Sequence, residues 1–351
     1  MDFPMGIPST RELRGQRDAV GFASTSEAMA AVYGLSAGGP EPSGFLARAG
    51  GEAPRGLPIG ALSPHDDYLY AGRVYRRVLP PVKARTVVLV GVFHRYRAFA
   101  PELEGIEAPL IFDTHRAWRA PDGPIAVSAL REEAIAALPP GEAMQSDAMH
   151  DAEQSVEAVA YWLRHDSPDL EILPVLVPRA GFLRLETLAR DLGAALAAAL
   201  SRRGLSLGRD LAVVVSSDAV HYGADFGYTP FGPGGADALA QARARDRGLL
   251  EGPLSGPIGT DSARAFFEAC VDPGRLEAYR HTWCGRFALP FGLLLMAELA
   301  ARAGREPPLG KALAYATTID APELPGRPYG LGTTAPASPS HFVGLPGALY
   351  Y

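Results

Sequence analysis

Lysine is almost missing from this chain. Of its 33 basic residues only Lys83 and Lys311 are lysines, and against 39 acids the formal net charge is −6. Without a basic surplus there are no counterions to release from a phosphate backbone or an anionic bilayer, so broad electrostatic binding of nucleic acid or membrane is not expected. Cysteine is as scarce. Cys270 and Cys284 allow one disulfide at most, which in 351 residues is no disulfide framework. No uninterrupted apolar run reaches the ~18 residues of a membrane span, and the first residues lack the basic-then-apolar order of a secretory leader. A cytoplasmic setting is therefore expected. Several chemical templates are absent too: no GxGxxG after a strand, no GxxxxGK[ST], no CxxC, no HExxH and no GxSxG.

What is present is an ordinary globular composition, 47% hydrophobic and 21% charged, enough to bury a sizeable core. The 39 glycines and 32 prolines are scattered without period and read as turns and loops. Residues 1–52 read as an N-terminal arm with one helix, Ser26–Ser36 capped by Ser26, packed on the main domain; the runs GGPEPSG and GGEAPRG close it. Residues 53–351 alternate short apolar runs with longer amphipathic ones. Strands are expected at Leu57–Ser63, Thr86–Val92, Glu171–Val177, Leu211–Ser216 and Ala312–Thr318. Helices are expected at Arg131–Leu138, Glu153–His165, Leu183–Arg203, Gly235–Leu250, Asp261–Cys270 and Cys284–Ala303. The second and fourth strands are β-branched without alternation, as strands buried on both faces are. The pattern predicts a single-domain α/β layered sandwich, its central and mostly parallel sheet flanked by helices.

In such sheets ligands bind beyond the carboxyl ends of the strands, so the residues that follow each apolar run carry the functional information. After LPIGALS come His65, Asp66, Asp67 and Tyr68; after TVVLVGV comes His94; after LAVVVS come Asp218 and His221. Three of only eight histidines thus follow strand ends. Imidazole is the commonest metal ligand and the side chain that titrates nearest neutrality, so the cluster can hold a metal, serve as acid and base, or both. Asp66 and Asp67 suit Asx-turns as well as a metal site, whereas Asp218, behind a buried strand, needs a partner or a cation. Cys284 precedes an apolar helical run, where a thiolate is favoured; it also suits a small buried hydrophobe.

These residues fall in blocks that resemble the Memo-like protein family, whose fold is similar to that of class III extradiol ring-cleavage dioxygenases (the LigB-type fold). In order they are Pro64-His65 with Tyr68-Leu69-Tyr70-Ala71-Gly72, Val90-Gly91-Val92-Phe93-His94, Glu153-Gln154-Ser155-Val156-Glu157, Ile172 to Val177, Val215-Ser216-Ser217-Asp218 with His221-Tyr222-Gly223, and Cys284-Gly285-Arg286. A weaker echo stands at Gly347-Ala348-Leu349. The resemblance implies that His65, His94 and Cys284 are metal ligands and that His221, with Asp218, is the acid/base facing the metal. It also implies substrate contacts from Asp66, Asp67, Tyr68, Gln154 and Arg286. Here Asp66 and Asp67 replace the family's usual Ala-Gly, Gln154 a histidine, Phe93 a small polar residue and Arg95 a second histidine, which points to an altered pocket.

The expected function is a metal-dependent oxidoreductase of dioxygenase type using Fe(II), with Zn or Cu as alternatives because a thiolate stands where the facial triad has a carboxylate. Its expected partner is a small-molecule substrate, aromatic ones among the candidates, or a peptide ligand. The alternatives are a non-catalytic metal- or peptide-binding protein, since some Memo-like proteins are regarded as binders of phosphorylated peptides or metal carriers, and a metal-assisted hydrolase in which Asp218 orients His221.

Overall fold

A computed structural model describes residues 5–38 and 56–351. The boundary expected at residue 52 lies outside them, as do nearly all of the two glycine-rich runs.

Six strands make the centre of the main sheet: β1 (Gly60–Ser63), β2 (Thr86–Val92), β3 (Glu171–Val177), β4 (Leu211–Ser216), β5 (Leu309–Thr317) and β6 (His341–Tyr350). Across the sheet they lie in the order β3-β2-β4-β1-β6-β5. The first four are parallel to one another, while β6 runs antiparallel to both β1 and β5. Shorter strands extend both edges, among them Ile125–Val127, parallel to β3, and Gly256–Pro257, antiparallel to β5. The sheet is mostly parallel, as the unbroken apolar runs imply.

Those runs are unbroken because alternate residues of each strand enter two separate cores. Val88, Val90, Leu173, Val175, Val213 and Val215 face one. Val87, Leu89, Ile172, Ala212 and Val214 face the other. Among the described residues, eight helices of eight or more residues flank the sheet: α1 (Ser26–Leu35), α2 (Tyr68–Val78), α3 (Leu130–Ala137), α4 (Glu157–Asp166), α5 (Phe182–Arg203), α6 (Ala236–Glu251), α7 (Thr260–Cys270) and α8 (Ala288–Arg302). The pairs α5–α8, α3–α5 and α7–α8 pack on the first face, and α1, α2 and α4 on the second. Burying both faces supplies most of the folding free energy, at roughly 1.5–3 kcal/mol for each large apolar side chain. Among the described residues no helix is long and apolar enough to cross a membrane.

Several expected boundaries move. The first strand begins at Gly60, not at Leu57, which is 43% exposed. The fifth spans Leu309–Thr317 and is antiparallel. Thr25, not Ser26, caps α1, its side chain accepting the Ala28 N–H at 3.2 Å; the Ser26 hydroxyl donates to the Pro121 carbonyl. The helix expected from Cys284 begins at Ala288, so Pro290 falls in its first turn, where no N–H is needed. The helix expected from Glu153 begins at Glu157, which leaves Glu153 in a loop. Helix α2 and strand β6 were not anticipated. In β6 the glycines serve close approach: a Cβ on Gly347 would lie 2.4 Å from Val78 of α2, and one on Gly344 would lie 2.5 Å from the Asp246 carboxylate.

The N-terminal arm is anchored by one charge. Arg14 is fully buried; it pairs with Glu157 at 2.5 Å and donates to the carbonyls of His150 and Glu153. Glu157 in turn accepts the N–H groups of Arg17 and Asp18.

Candidate metal centre

Three neighbouring strands end on chemistry at one offset. His65, His94 and Asp218 each stand two residues beyond the last residue of β1, β2 and β4. Since β2, β4 and β1 are adjacent and their ends lie within one residue of register, with Ser63 opposite Ser216 and Val90 opposite Val215, the three side chains meet at the carboxyl end of the sheet. Cys284 joins them from the turn before α8. That turn fits tightly, because a Cβ on Gly285 would come 2.3 Å from the Ser217 hydroxyl.

One ligand atom each from His65, His94 and Cys284 lies within 4.8 Å of the others. The two imidazoles meet edge to face at 5.1 Å, and His65 Nε2 is 3.5 Å from Cys284 Sγ. Second ring nitrogens fix the orientation. The Ser216 hydroxyl donates to the Ser155 carbonyl and so accepts from His65 Nδ1, at 2.8 Å. The Glu153 carboxylate accepts from His94 Nδ1 at 2.9 Å and from the His94 N–H at 2.7 Å. Both imidazoles therefore carry the Nδ1 proton and turn Nε2 toward the sulfur. This is the donor set a soft divalent ion takes, with acceptors behind the histidines as metal sites usually have.

His221 is oriented differently. It opens a short strand, His221–Gly223, paired with β6, and its Nδ1 points at the carbonyls of Ala219 (3.1 Å) and Thr282 (3.2 Å). Two carbonyls can only accept, so Nε2 is the free nitrogen. Asp218 therefore does not orient His221 through a hydrogen bond. Its carboxylate accepts the His65 N–H at 2.8 Å and lies 3.3 Å from His65 Nε2, while its own N–H points at Cys284 Sγ at 3.1 Å.

Charge explains the titration. Burial alone pushes the Cys284 thiol up, but His65 and His94 beside it bring it down to about 7. Burial opposes the charge on His94, yet Glu153 and Cys284 hold that imidazole well above its usual range. Glu153 is held down to about 2, its burial outweighed by His94 and by N–H donors. The remaining carboxylates go the other way. Burial, then the charges of Asp218 and Asp67, raise Asp66; burial raises Asp67 to about 6 against two hydrogen bonds from Thr334; burial raises Asp218. Burial also lowers His221, with the Asp218 charge opposing. The arrangement carries excess negative potential that a cation would relieve.

A cavity of about 290 Å³ opens over the cluster. His65, Asp66, Asp67, His94, Gln154, Asp218 and His221 line it, with Asp18 and Phe22 from the N-terminal arm. Phe226 stands edge-on to His221 at 5.1 Å, and the loop at Thr334 to Ala337 forms the far rim. Two expected substrate contacts are elsewhere. Tyr68 is fully buried among Phe22, Tyr75 and Trp162, its hydroxyl on the Ala158 carbonyl, because as the first residue of α2 it is turned into the core. Arg286 lines a different cavity with Cys284. Glu153 and Ser216 are site residues that the sequence pattern does not single out, although both stand in blocks quoted above: Glu153 reads as a helix start and Ser216 as the last residue of a strand.

A family model described as "Memo-like protein" matches residues 46–322. A MEMO1 family protein of Thermococcus kodakarensis is 29% identical over 178 residues, 48% of this chain and 55% of that protein. One from Pyrococcus horikoshii is 25% identical over 189 residues, covering 54% and 62%. One from Pyrococcus furiosus is 23% identical over 241 residues, covering 66% and 73%. The chain thus spans between half and two thirds of the length of the first two.

Proposed function

The chain belongs to the Memo-like protein family, and from that premise we propose that His65, His94 and Cys284 bind one divalent metal ion in a small-molecule oxidoreductase. Fe(II) is our first choice of metal, with Zn or Cu as its competitors. The observation that carries the reading is the convergence of two imidazole nitrogens and a sulfur within 4.8 Å, each residue held by a hydrogen-bonding neighbour. Bound there, any of these ions would supply Lewis acidity, and Fe or Cu a redox couple as well, which Zn would not.

The chain's own residues supply the rest. His221 Nε2, free because two carbonyls hold Nδ1, is the group that takes a proton from a substrate hydroxyl and returns it to product. Its lowered pKa keeps it a neutral base near pH 7. Phe22, Tyr70 and Phe226 give the cavity walls that suit a small ring. Asp18, Asp66, Asp67 and Asp218, with no Lys or Arg in the same wall, favour a neutral or cationic substrate over a phosphorylated peptide. A cytoplasmic setting, which keeps the unpaired Cys270 and Cys284 reduced, belongs to the same proposal.

A binding protein or metal carrier is the second reading. It is favoured by Cys284, a thiolate where facial-triad oxygen enzymes place a carboxylate. The two separate by experiment. Protein isolated without chelators should carry about one metal equivalent, most of it lost in Cys284→Ala. Loaded anaerobically with Fe(II), the oxidoreductase should consume dioxygen with members of a catechol panel. His221→Ala should reduce uptake by about 10²–10⁴-fold with metal content unchanged. Stoichiometric metal with no oxygen uptake across the panel would leave only the carrier reading. Metal retained in full by Cys284→Ala would remove the cluster itself.

A further inference from the structure

The cluster has a second cavity on its Cys284 side. It measures about 280 Å³, shares His94 with the first, and is lined by Cys284, Tyr96, Arg97, Arg179 and Arg286. Its charge is opposite: three arginines and one carboxylate, the exposed Glu277.

Arg286 is the unusual group. The residue is only 9% exposed, and among the described residues no carboxylate lies within ion-pair distance of it. Its Nε is buried without any acceptor. The guanidinium is held by rings instead, 3.6 Å above Tyr279 and 4.8 Å from Phe287. Stacking fixes the plane of the guanidinium and leaves its hydrogen-bonding edge unmatched, and a buried cation with an empty edge costs free energy until an anion meets it. Arg179 is likewise set over a ring, Tyr96 at 4.8 Å, and it and Arg97 have no carboxylate partner among the described residues. The Cys284 sulfur adds negative charge when ionised, but it is engaged by His65 and the Asp218 N–H.

We propose that this second cavity is a binding site for a small oxyanion, a carboxylate or a phosphate, received on the edge of the Arg286 guanidinium with Arg179 and Arg97 beside it. The planar fork of Arg286 matches two oxygens at once, which a point charge does not. The site is built from protein groups alone and goes beyond the proposed oxidoreductase reading, since it does not depend on a metal.

The test is a titration with inorganic phosphate and, separately, with acetate, each against sodium chloride at equal ionic strength. It is read by calorimetry and by thermal unfolding on metal-loaded and chelator-stripped protein. At least one anion should bind saturably to both forms, with Kd on the order of 1 mM. Response to phosphate alone identifies a tetrahedral ligand and response to acetate alone a carboxylate; either supports the site. Arg286→Met and Arg286→Lys should each weaken binding by about tenfold or more, with metal content unchanged by elemental analysis. If Arg286→Met does not fold, judged by far-ultraviolet circular dichroism, the rim pair Arg97→Ser with Arg179→Ser carries the test with the same expected loss. Absence of a saturable response to both anions overturns the proposal. So does a response undiminished in these variants, or one seen only when metal is present, which would mean the anion sits on the metal.

Discussion

Glu153 and Ser216 stand behind the two imidazoles in the same way but with different charge. Ser216 offers His65 a neutral acceptor, whereas Glu153 gives His94 a full carboxylate and holds it protonated in the absence of a cation. A metal arriving at His94 Nε2 must displace that proton. Metal uptake near pH 7.5 should therefore release about one proton, seen as a dependence of calorimetric heat on buffer ionisation enthalpy. Glu153→Gln keeps an acceptor but removes the charge, and metal affinity should fall by about 10–100-fold in a competitive chelator titration. The thiols differ as sharply. Burial pushes Cys270 far up while Cys284 titrates at about 7, so iodoacetamide should label Cys284 alone, with a pH midpoint near that value and protection by bound metal. Equal labelling of both thiols in folded protein would contradict this.

At the level of elements, the site depends on strand ends and on what presses against them. The strand runs were legible because Val87 to Val90 and Ala212 to Val215 feed two cores at once and so cannot alternate. His65 and His94 were legible because each stands two residues beyond the end of an apolar run, at Ser63 and Val92. Less could be read where a residue's neighbours in space set its role. Tyr68 adjoins His65 in sequence, yet one helical turn carries it into the core. Arg286 adjoins Cys284 and faces the opposite cavity. Glu153 sits before a helix pattern and reads as part of it, although Arg14, 139 residues earlier, grips its carbonyl. Strand β6 holds Gly344, Pro346 and Gly347, a composition that signals turns; only the closeness of α2 and Asp246 explains it. Gly347→Val should accordingly destabilise the fold by about 1–3 kcal/mol or more, a lower urea midpoint at unchanged m-value. An unchanged midpoint would mean that α2 can withdraw freely.

For the molecule as a whole, the empty site should give a pH signature of definite sign. Asp66, Asp67 and Asp218 have folded pKa values above their unfolded ones, so the folded state binds more protons through their titration range and stability falls as pH rises from about 4 to 6.5. Glu153 works in the other direction. Its stabilising contribution is present above its ordinary range and lost as pH falls toward about 2. Metal-free protein should thus unfold at its highest temperature near pH 4–5 and lose stability toward neutrality, and a bound divalent ion should flatten that slope. Asp66→Asn should raise the stability of the metal-free protein at pH 7 by about 1 kcal/mol, because it removes one of three crowded charges. A rise in unfolding temperature of the metal-free wild type between pH 4.5 and 6.5 would reverse the sign assigned here.

The position of β6 also bears on how this molecule is made. Strand β1, which delivers His65, is completed on one side by β4 and on the other by residues 341–350. During synthesis, about 285 residues must follow Ser63 out of the ribosome before that second edge is covered. A nascent chain halted anywhere in between exposes a row of unpaired backbone donors and acceptors, an invitation to join another chain. Holding chaperones should therefore stay on this protein until residues 348–350 have emerged, and ribosome-stalled intermediates that end before them should be caught by those chaperones.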